Sequence, residues 1–162
     1  MTRVIQLAAM IALSATVAVL AQRPTDVVKW SVTSSGRDVK LGDTVKVEVT
    51  ADVAPGWHLY ALTQPKGGPN PLKIAVAKGQ PFEIKAAEIA APAPEVTRDA
   101  NFDLETRQYD GKVVFTVPVS AARTATAGRH EVPLEITFQA CGNGICLRPF
   151  TQTLPVSLAV QR

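Results

Sequence analysis

The chain has 162 residues, a formal net charge of +3 and a hydrophobic fraction of 46%. This length is that of one globular domain rather than several. Its 17 basic and 14 acidic residues are scattered along the chain. Because positive and negative charges are nearly balanced, the sequence argues against a nucleic-acid-binding protein and against a protein attracted to an anionic membrane surface.

The first residues have the pattern of a secretory signal peptide. Arg3 gives a short basic segment, residues 4–20 are mostly apolar, and Val19-Leu20-Ala21 places small residues where a signal peptidase cleaves. A membrane helix is the alternative, but polar residues interrupt the apolar stretch and no basic stop-transfer cluster follows it. We therefore predict that residues 1–21 are removed, which lowers the net charge from +3 to +2. Residues 22–162 then form one exported domain without stable membrane insertion.

Short alternating apolar runs, divided by Pro, Gly and Asp turns, follow the signal peptide. Such alternation indicates strands, because successive side chains of a strand point to opposite faces of the sheet. The predicted strands are residues 27–32, 44–50, 57–62, 72–76, 82–86, 113–119, 132–138 and 154–160. With no convincing amphipathic helix among them, this pattern predicts an all-β, immunoglobulin-like antiparallel β-sandwich of about eight short strands.

Two segments do not fit the strand pattern. Residues 63–71 contain several prolines and glycines, which cannot continue a hydrogen-bonded ladder, so we expect an ordered loop there. Residues 97–110 are polar and are not among the predicted strands. Phe102 is the one conspicuous apolar residue in this second segment.

The chain has 2 cysteines, Cys141 and Cys146, with Gly142 and Gly144 between them and alternating runs on both sides. This arrangement predicts a β-hairpin whose arms a disulfide would join. Export supports a disulfide, because exported proteins fold in an oxidising compartment. If the alternation of the preceding strand continues, Ala140 faces the core and Cys141 points away from it.

The residues alone leave open whether this bridge is a structural staple or a redox-active pair. A ring this small stabilises a fold by only about 2 kcal/mol in the chain-entropy model. Arg148 is the one nearby cation, so the sequence gives no reason to expect a strongly acidic thiol.

The cysteines, histidines and methionines of the chain also argue against a metal site. His58 and His130 are far from the cysteines in sequence and do not give metal-ligand spacing. Capture of copper or another soft metal by the reduced thiols is disfavoured because Met1 and Met10 lie in the signal peptide. We predict no metal and no cofactor.

Three motifs in this order resemble the N-terminal domain of the DsbD family. They are Gly56-Trp57-His58-Leu59-Tyr60, Gln64-Pro65-Lys66-Gly67-Gly68-Pro69, and Phe138-Gln139-Ala140-Cys141 through Cys146-Leu147-Arg148-Pro149. The resemblance extends over about residues 27–160. DsbD proteins are bacterial membrane thiol:disulfide interchange proteins that carry reducing equivalents into the periplasm. The resemblance therefore implies a periplasmic, immunoglobulin-like domain with a redox-active cysteine pair.

The resemblance also implies roles for individual residues. By position in the motif, Cys146 forms the mixed disulfide with partners and Cys141 resolves it. Phe102 takes the place of an aromatic residue in a cap loop that shields the pair, although an ordinary core phenylalanine is the alternative. Tyr60 and His58 fall where the family has aromatic residues lining the site. His58 departs from that pattern, so a surface or packing histidine is the simpler interpretation.

The partners implied by the resemblance are periplasmic thioredoxin-like proteins, such as disulfide isomerases and cytochrome c maturation proteins. The chain ends at Arg162 without the membrane and thioredoxin-like domains of DsbD, so we expect a separate membrane electron donor. We predict a monomeric component of a thiol:disulfide interchange oxidoreductase system. The alternative is a non-enzymatic periplasmic binding or chaperone module, with a structural disulfide and the loop at residues 64–71 as its binding surface.

Overall fold

A computed structural model describes residues 22–34, 38–142 and 144–162. Its described part is nearly all β, with one short α-helix, α1 (Pro24–Val27), and one 3-10 helix (Ala86–Glu88). Neither helix has the length and apolar character needed to cross a membrane. The predicted signal peptide, residues 1–21, lies outside the described residues.

The strands form three sheets, which we number by their place in this description. The first sheet has the order β1 (Val28–Ser34), β3 (Thr44–Val53), β9 (Lys112–Ala121) and β6 (Phe82–Ile84). The second has the order β2 (Asp38–Lys40), β13 (Phe150–Gln161), β10 (Gly128–Phe138) and β5 (Lys73–Val76). The third has the order β12 (Ile145–Cys146), β11 (Ala140–Gly142), β4 (Trp57–Tyr60), β8 (Leu104–Tyr109) and β7 (Glu95–Asp99).

Alternating side chains of the first and second sheets form one apolar core. Alternate residues of β3 and β10, such as Val49 and Ile136, have no exposed surface. Trp30 of β1 connects the two sheets, because its ring lies 6.1 Å from the ring of Phe115 in β9 and 5.4 Å from the ring of Phe138 in β10. The predicted sandwich is thus confirmed, and its core extends along β10 to Phe138 and on to Ala140, directly before the first cysteine.

The prediction of about eight strands was too low. Each of the eight predicted runs forms a strand, but β2, β7, β8, β11 and β12 are additional. All five are short, and none has a long apolar alternation. The pairs β7–β8 and β11–β12 are local hairpins that join the third sheet through β4, whereas β2 pairs with the distant β13. The polar segment at residues 97–110 provides most of the hairpin β7–β8, which pairs along its whole length from Glu95–Gln108 to Asp99–Leu104.

The third sheet brings the cysteine hairpin against β4. The chain leaves the second sheet after Phe138 and enters the third sheet at Ala140, which pairs with Leu59 of β4. Gly142 pairs with Trp57, and the two backbones are in close contact. A Cβ atom at Gly142 would lie 2.3 Å from the carbonyl oxygen of Gly56 and 2.8 Å from the Cα of Trp57. Only glycine fits at this position.

We expect Gly142→Ala to destabilise the domain by about 2 kcal/mol, because the atoms that its Cβ would meet include fixed backbone. Urea unfolding of the oxidised protein measures this change. Gly144→Asn is the control: asparagine tolerates the left-handed φ of 75° at Gly144, and a Cβ there meets no atom within 4 Å. Equal losses in the two variants would contradict the close approach at Gly142.

Candidate functional site

The two cysteines are directly opposite each other in the hairpin β11–β12 and form a disulfide. Their Cα atoms are 4.1 Å apart. Cys141 is 0% exposed, whereas Cys146 is only partly buried. The two sulfurs therefore differ in access, and a reagent from solvent reaches Cys146 first.

Cys141 lies on the face of the third sheet that carries His58 and Tyr60. It pairs with His58, while Ala140, on the opposite face, belongs to the main apolar core. Cys141 is absent from that core and is nevertheless wholly buried. The predicted direction away from the core thus does not mean contact with solvent at this position.

Tyr60 joins the disulfide to a buried acid. Its hydroxyl oxygen is 3.9 Å from Cys146 Sγ and donates a hydrogen bond to Asp99 Oδ2 at 2.5 Å. Burial of the phenol, followed by the hydrogen bond and charge of Asp99, raises the pKa of Tyr60 far above its usual value. The hydroxyl therefore keeps its proton at neutral pH and directs it to Asp99, so toward Cys146 Sγ and His58 Nε2 its oxygen is an acceptor.

Asp99, at the end of β7, is 4% exposed and accepts three hydrogen bonds. The donors are Tyr60, the Gln108 side-chain amide at 3.3 Å and the Asn101 backbone N–H at 2.8 Å. Burial alone would raise the pKa of Asp99, but the hydrogen bonds from Tyr60 and Asn101 outweigh it and hold the pKa below its usual value. The site thus contains a buried negative charge near Cys146.

His58 lies closer to the site than a surface or packing histidine would require. Its Nε2 is 3.3 Å from the Tyr60 hydroxyl oxygen and 3.8 Å from Asp99 Oδ2. Burial lowers the pKa of His58. The negative charges of Asp99 and Asp110 raise this pKa, but by less than burial lowers it. The ring is therefore neutral at neutral pH and adds no positive charge beside the sulfur.

Phe102 lies in the turn between β7 and β8 and is partly buried. Its ring packs edge-on against the ring of Tyr60, with 6.0 Å between centroids and an interplanar angle of 87°. The same turn follows Asp99 directly, so one short segment supplies both the buried acid and the aromatic neighbour of Tyr60. Phe102 thus packs against Tyr60 and is not a member of the main apolar core.

An open groove of about 300 Å³ runs beside these residues, with His58, Asp99, Gln108, Gly142 and Gly144 among its lining. It separates the turn after β7 from the cysteine hairpin. Within the part of the chain that the structure describes, no three His, Cys, Asp or Glu side chains are grouped closely enough to hold a metal ion.

Two buried polar residues of this region were not singled out from the sequence. Asp99 and Gln108 lie in the polar segment at residues 97–110, where burial has no sequence signal because both faces of the hairpin carry polar side chains. The one indication of burial in this segment was Phe102, because an isolated aromatic residue in a polar segment suggests a turn that packs against the rest of the fold.

Comparisons with known proteins identify the family and the fold of this chain. The sequence matches the family described as thiol:disulfide interchange protein DsbD, N-terminal, over residues 31–158. The fold is similar to the N-terminal periplasmic domain of ScsB from Proteus mirabilis, with a TM-score of 0.55 and 20% identity over 86% of this chain and 49% of that chain. The chain therefore spans about half the length of the ScsB chain, and at this identity the likeness shows the fold alone.

A more distant match is the CssB subunit of the enterotoxigenic Escherichia coli colonization factor CS6, complemented with a donor strand from CssA. It has a TM-score of 0.41 and 12% identity over 84% of this chain and 98% of that chain. We draw no conclusion on fold or function from so low a similarity. No match was found among curated proteins. Because the family match covers most of the sequence, the chain belongs to the family of DsbD N-terminal thiol:disulfide interchange domains.

Proposed function

We propose that this domain passes reducing equivalents to partner disulfides in the periplasm through Cys141 and Cys146. The observation that carries the proposal is the asymmetry of the disulfide: Cys146 is partly exposed beside Tyr60 and the buried Asp99, while Cys141 is fully buried. One accessible sulfur and one protected sulfur suit an exchange reaction in two steps.

In the first step, the Cys146 thiolate attacks a sulfur of the partner disulfide. A mixed disulfide forms, and the partner's other sulfur leaves as a thiolate. In the second step, the Cys141 thiolate attacks Cys146 Sγ, the Cys141–Cys146 bond forms, and the second partner sulfur leaves. The domain loses two electrons and two protons, and the partner gains both.

The charges at the site suit a reductant that is slow to react when alone. Asp99 is negative, and Tyr60 directs its proton to Asp99, so the Tyr60 oxygen accepts a hydrogen bond from a Cys146 thiol better than it stabilises a thiolate. Arg148, the cation near the cysteines in sequence, is exposed to solvent, and Arg98, which lines the groove, is paired with Asp103. These surroundings therefore do not favour a Cys146 thiolate until a partner changes them.

Phe102 is proposed to shield the pair in the free domain, by packing over Tyr60 in a turn that opens when a partner docks. We expect Phe102→Ala to speed alkylation of reduced Cys146 by iodoacetamide by roughly three- to tenfold, because access limits the reaction of a thiol. Val96→Ala is the control, since Val96 is an exposed apolar residue on the same hairpin, at 58% exposure. Equal rates for both variants and the wild type would contradict shielding.

The proposed partners are periplasmic thioredoxin-like proteins, including disulfide isomerases and cytochrome c maturation proteins, with a membrane protein as electron donor. Export would follow cleavage after Ala21, and residues 22–162 would then act as one monomeric domain. The partners follow from the resemblance to the DsbD family and the cleavage from the pattern of residues 1–21, while the family match and the ScsB domain, which is described as periplasmic, support the location.

The reduction potential of the purified domain, measured against glutathione or dithiothreitol, tests the function. We expect a potential less negative than about −300 mV, together with transfer of electrons to an oxidised thioredoxin-like protein. A potential well below that value, with no transfer, would identify a structural staple. The domain would then be better described as a non-enzymatic binding or chaperone module.

A further inference from the structure

Gln139 lies at the corner where the chain passes from one sheet to another. It is the single residue between β10 of the second sheet and β11 of the third sheet. It is also 8% exposed, which is unusual for a glutamine, since a buried side-chain amide must find hydrogen-bond partners. The mechanism proposed above gives Gln139 no role, although it precedes Cys141 by only two positions.

The amide of Gln139 binds two separate segments. Its Oε1 accepts hydrogen bonds from the backbone N–H of Asn70 at 2.9 Å and from Asn70 Nδ2 at 3.2 Å. Its Nε2 donates to the carbonyl oxygen of Leu147 at 3.2 Å. The backbone carbonyl of Gln139 in turn accepts from the N–H of Tyr60 at 3.3 Å.

Leu147 is the residue directly after Cys146, and both of its backbone polar groups are held by residues that precede Cys141. Its carbonyl accepts from Gln139, and its N–H donates to the carbonyl oxygen of Ala140 at 3.0 Å. None of these bonds depends on the sulfur–sulfur bond. They are therefore able to persist when the disulfide opens.

We propose that Gln139 is a positioning residue that keeps Cys146 within bonding distance of Cys141 after the disulfide opens. The inference rests on the proposed exchange function and deepens it. Closing the ring is an intramolecular attack of the Cys141 thiolate on Cys146 Sγ, with the partner sulfur as leaving thiolate. The rate and equilibrium of such a step depend on how closely the two groups are held.

Two substitutions separate the contacts of Gln139. Gln139→Glu keeps an acceptor for Asn70 but has no donor for Leu147, and Gln139→Met removes both contacts at similar length. Asn70→Ala is the matched control, because it removes one donor to Gln139 and leaves the contact with Leu147 in place.

We expect both Gln139 variants to lower the equilibrium constant for ring closure about tenfold, which makes the reduction potential about 30 mV less negative for a two-electron couple. When the reduced variants react with a small aromatic disulfide, the mixed disulfide at Cys146 should also persist longer than in the wild type. Asn70→Ala should change the constant by less than about twofold, since its main-chain contact remains. Melting curves of the oxidised and reduced forms complete the experiment.

A purely structural role would give a different result. If the Gln139 variants lower the stability of the oxidised and reduced forms equally and leave the potential unchanged, the inference is wrong. If neither variant folds, NMR of the wild type decides: protection of the Gln139 side-chain amide in the reduced form supports the inference, and rapid exchange overturns it. The reduction potential and the amide protection are measured without a partner, so they test the role of Gln139 alone. Failure of the wild-type domain to reduce any partner would instead contradict the proposed function.

Discussion

With Cys141 replaced by Ala, the reduced domain is expected to remain joined to a disulfide-bearing thioredoxin-like partner through Cys146. The partly exposed Cys146 still makes the first attack, but no internal thiol is left to release the partner. Release then requires an external thiol and slows by at least roughly a thousandfold, given the effective molarities of intramolecular groups. Non-reducing electrophoresis and mass spectrometry of the adduct measure the result.

Two further variants serve as controls for this trap. Cys146→Ala should give no adduct, because the remaining Cys141 is wholly buried. The double alanine variant should fold with a loss of about 2 kcal/mol, the value expected for so small a ring, and should transfer no electrons. An adduct through Cys141, or binding of partners that survives without either cysteine, would contradict the assigned roles and favour the binding module.

Replacing Asp99 with Ala is expected to destabilise the domain by about 3 kcal/mol, because it leaves buried donors without their acceptor. Those donors are the Tyr60 hydroxyl and the Gln108 amide. Urea unfolding at neutral pH measures the loss. Asp103→Asn is the matched control on the same hairpin: its side chain is 86% exposed, and its ion pair with Arg98 lies at the surface. Such exposed pairs contribute less than about 1 kcal/mol.

The acid sensitivity of the fold gives an independent check on Asp99. Because its pKa is lower in the folded protein than the ordinary 3.8, its contribution to stability is complete above that value. The contribution is lost as the pH falls from 3.8 through the folded-state pKa. In Asp99→Asn, this part of the acid destabilisation should disappear. If the free energy of unfolding falls by the same amount in the wild type and in the variant between pH 5 and pH 2, the assignment is wrong.

The sandwich was predictable because apolar alternation in eight runs marks the strands whose inner faces form the core. Residues 113–119 and 132–138, for example, alternate clearly in the sequence and lie in β9 and β10 of the structure. The short strands β2, β7 and β8 were missed because they lack apolar alternation, so their partners rather than their composition make them strands. Cys141 and Cys146 were predictable as a hairpin pair for the opposite reason, since their pairing is local.

The rest of the site depends on contacts between distant segments, which no local pattern encodes. Tyr60 and Asp99 are 39 positions apart, and their hydrogen bond forms because β8 pairs with both β4 and β7 and so brings the end of β7 near Tyr60. The family resemblance pointed to Tyr60 and Phe102, but it did not indicate the acid between them. A polar side chain inside a polar segment looks the same in sequence whether it is buried or exposed.

From the unequal exposure of the two sulfurs we also expect a particular response of the reduced domain to peroxide, as follows. Hydrogen peroxide from solvent meets Cys146 first: the thiolate attacks one peroxide oxygen, the O–O bond breaks, a sulfenic acid forms and hydroxide leaves. The buried Cys141 thiol then condenses with that sulfenic acid, which releases water and regenerates the disulfide before sulfinic acid forms. A single oxidation event thus ends in a form that a thiol donor reduces again, and the irreversible products that threaten a lone exposed cysteine are avoided.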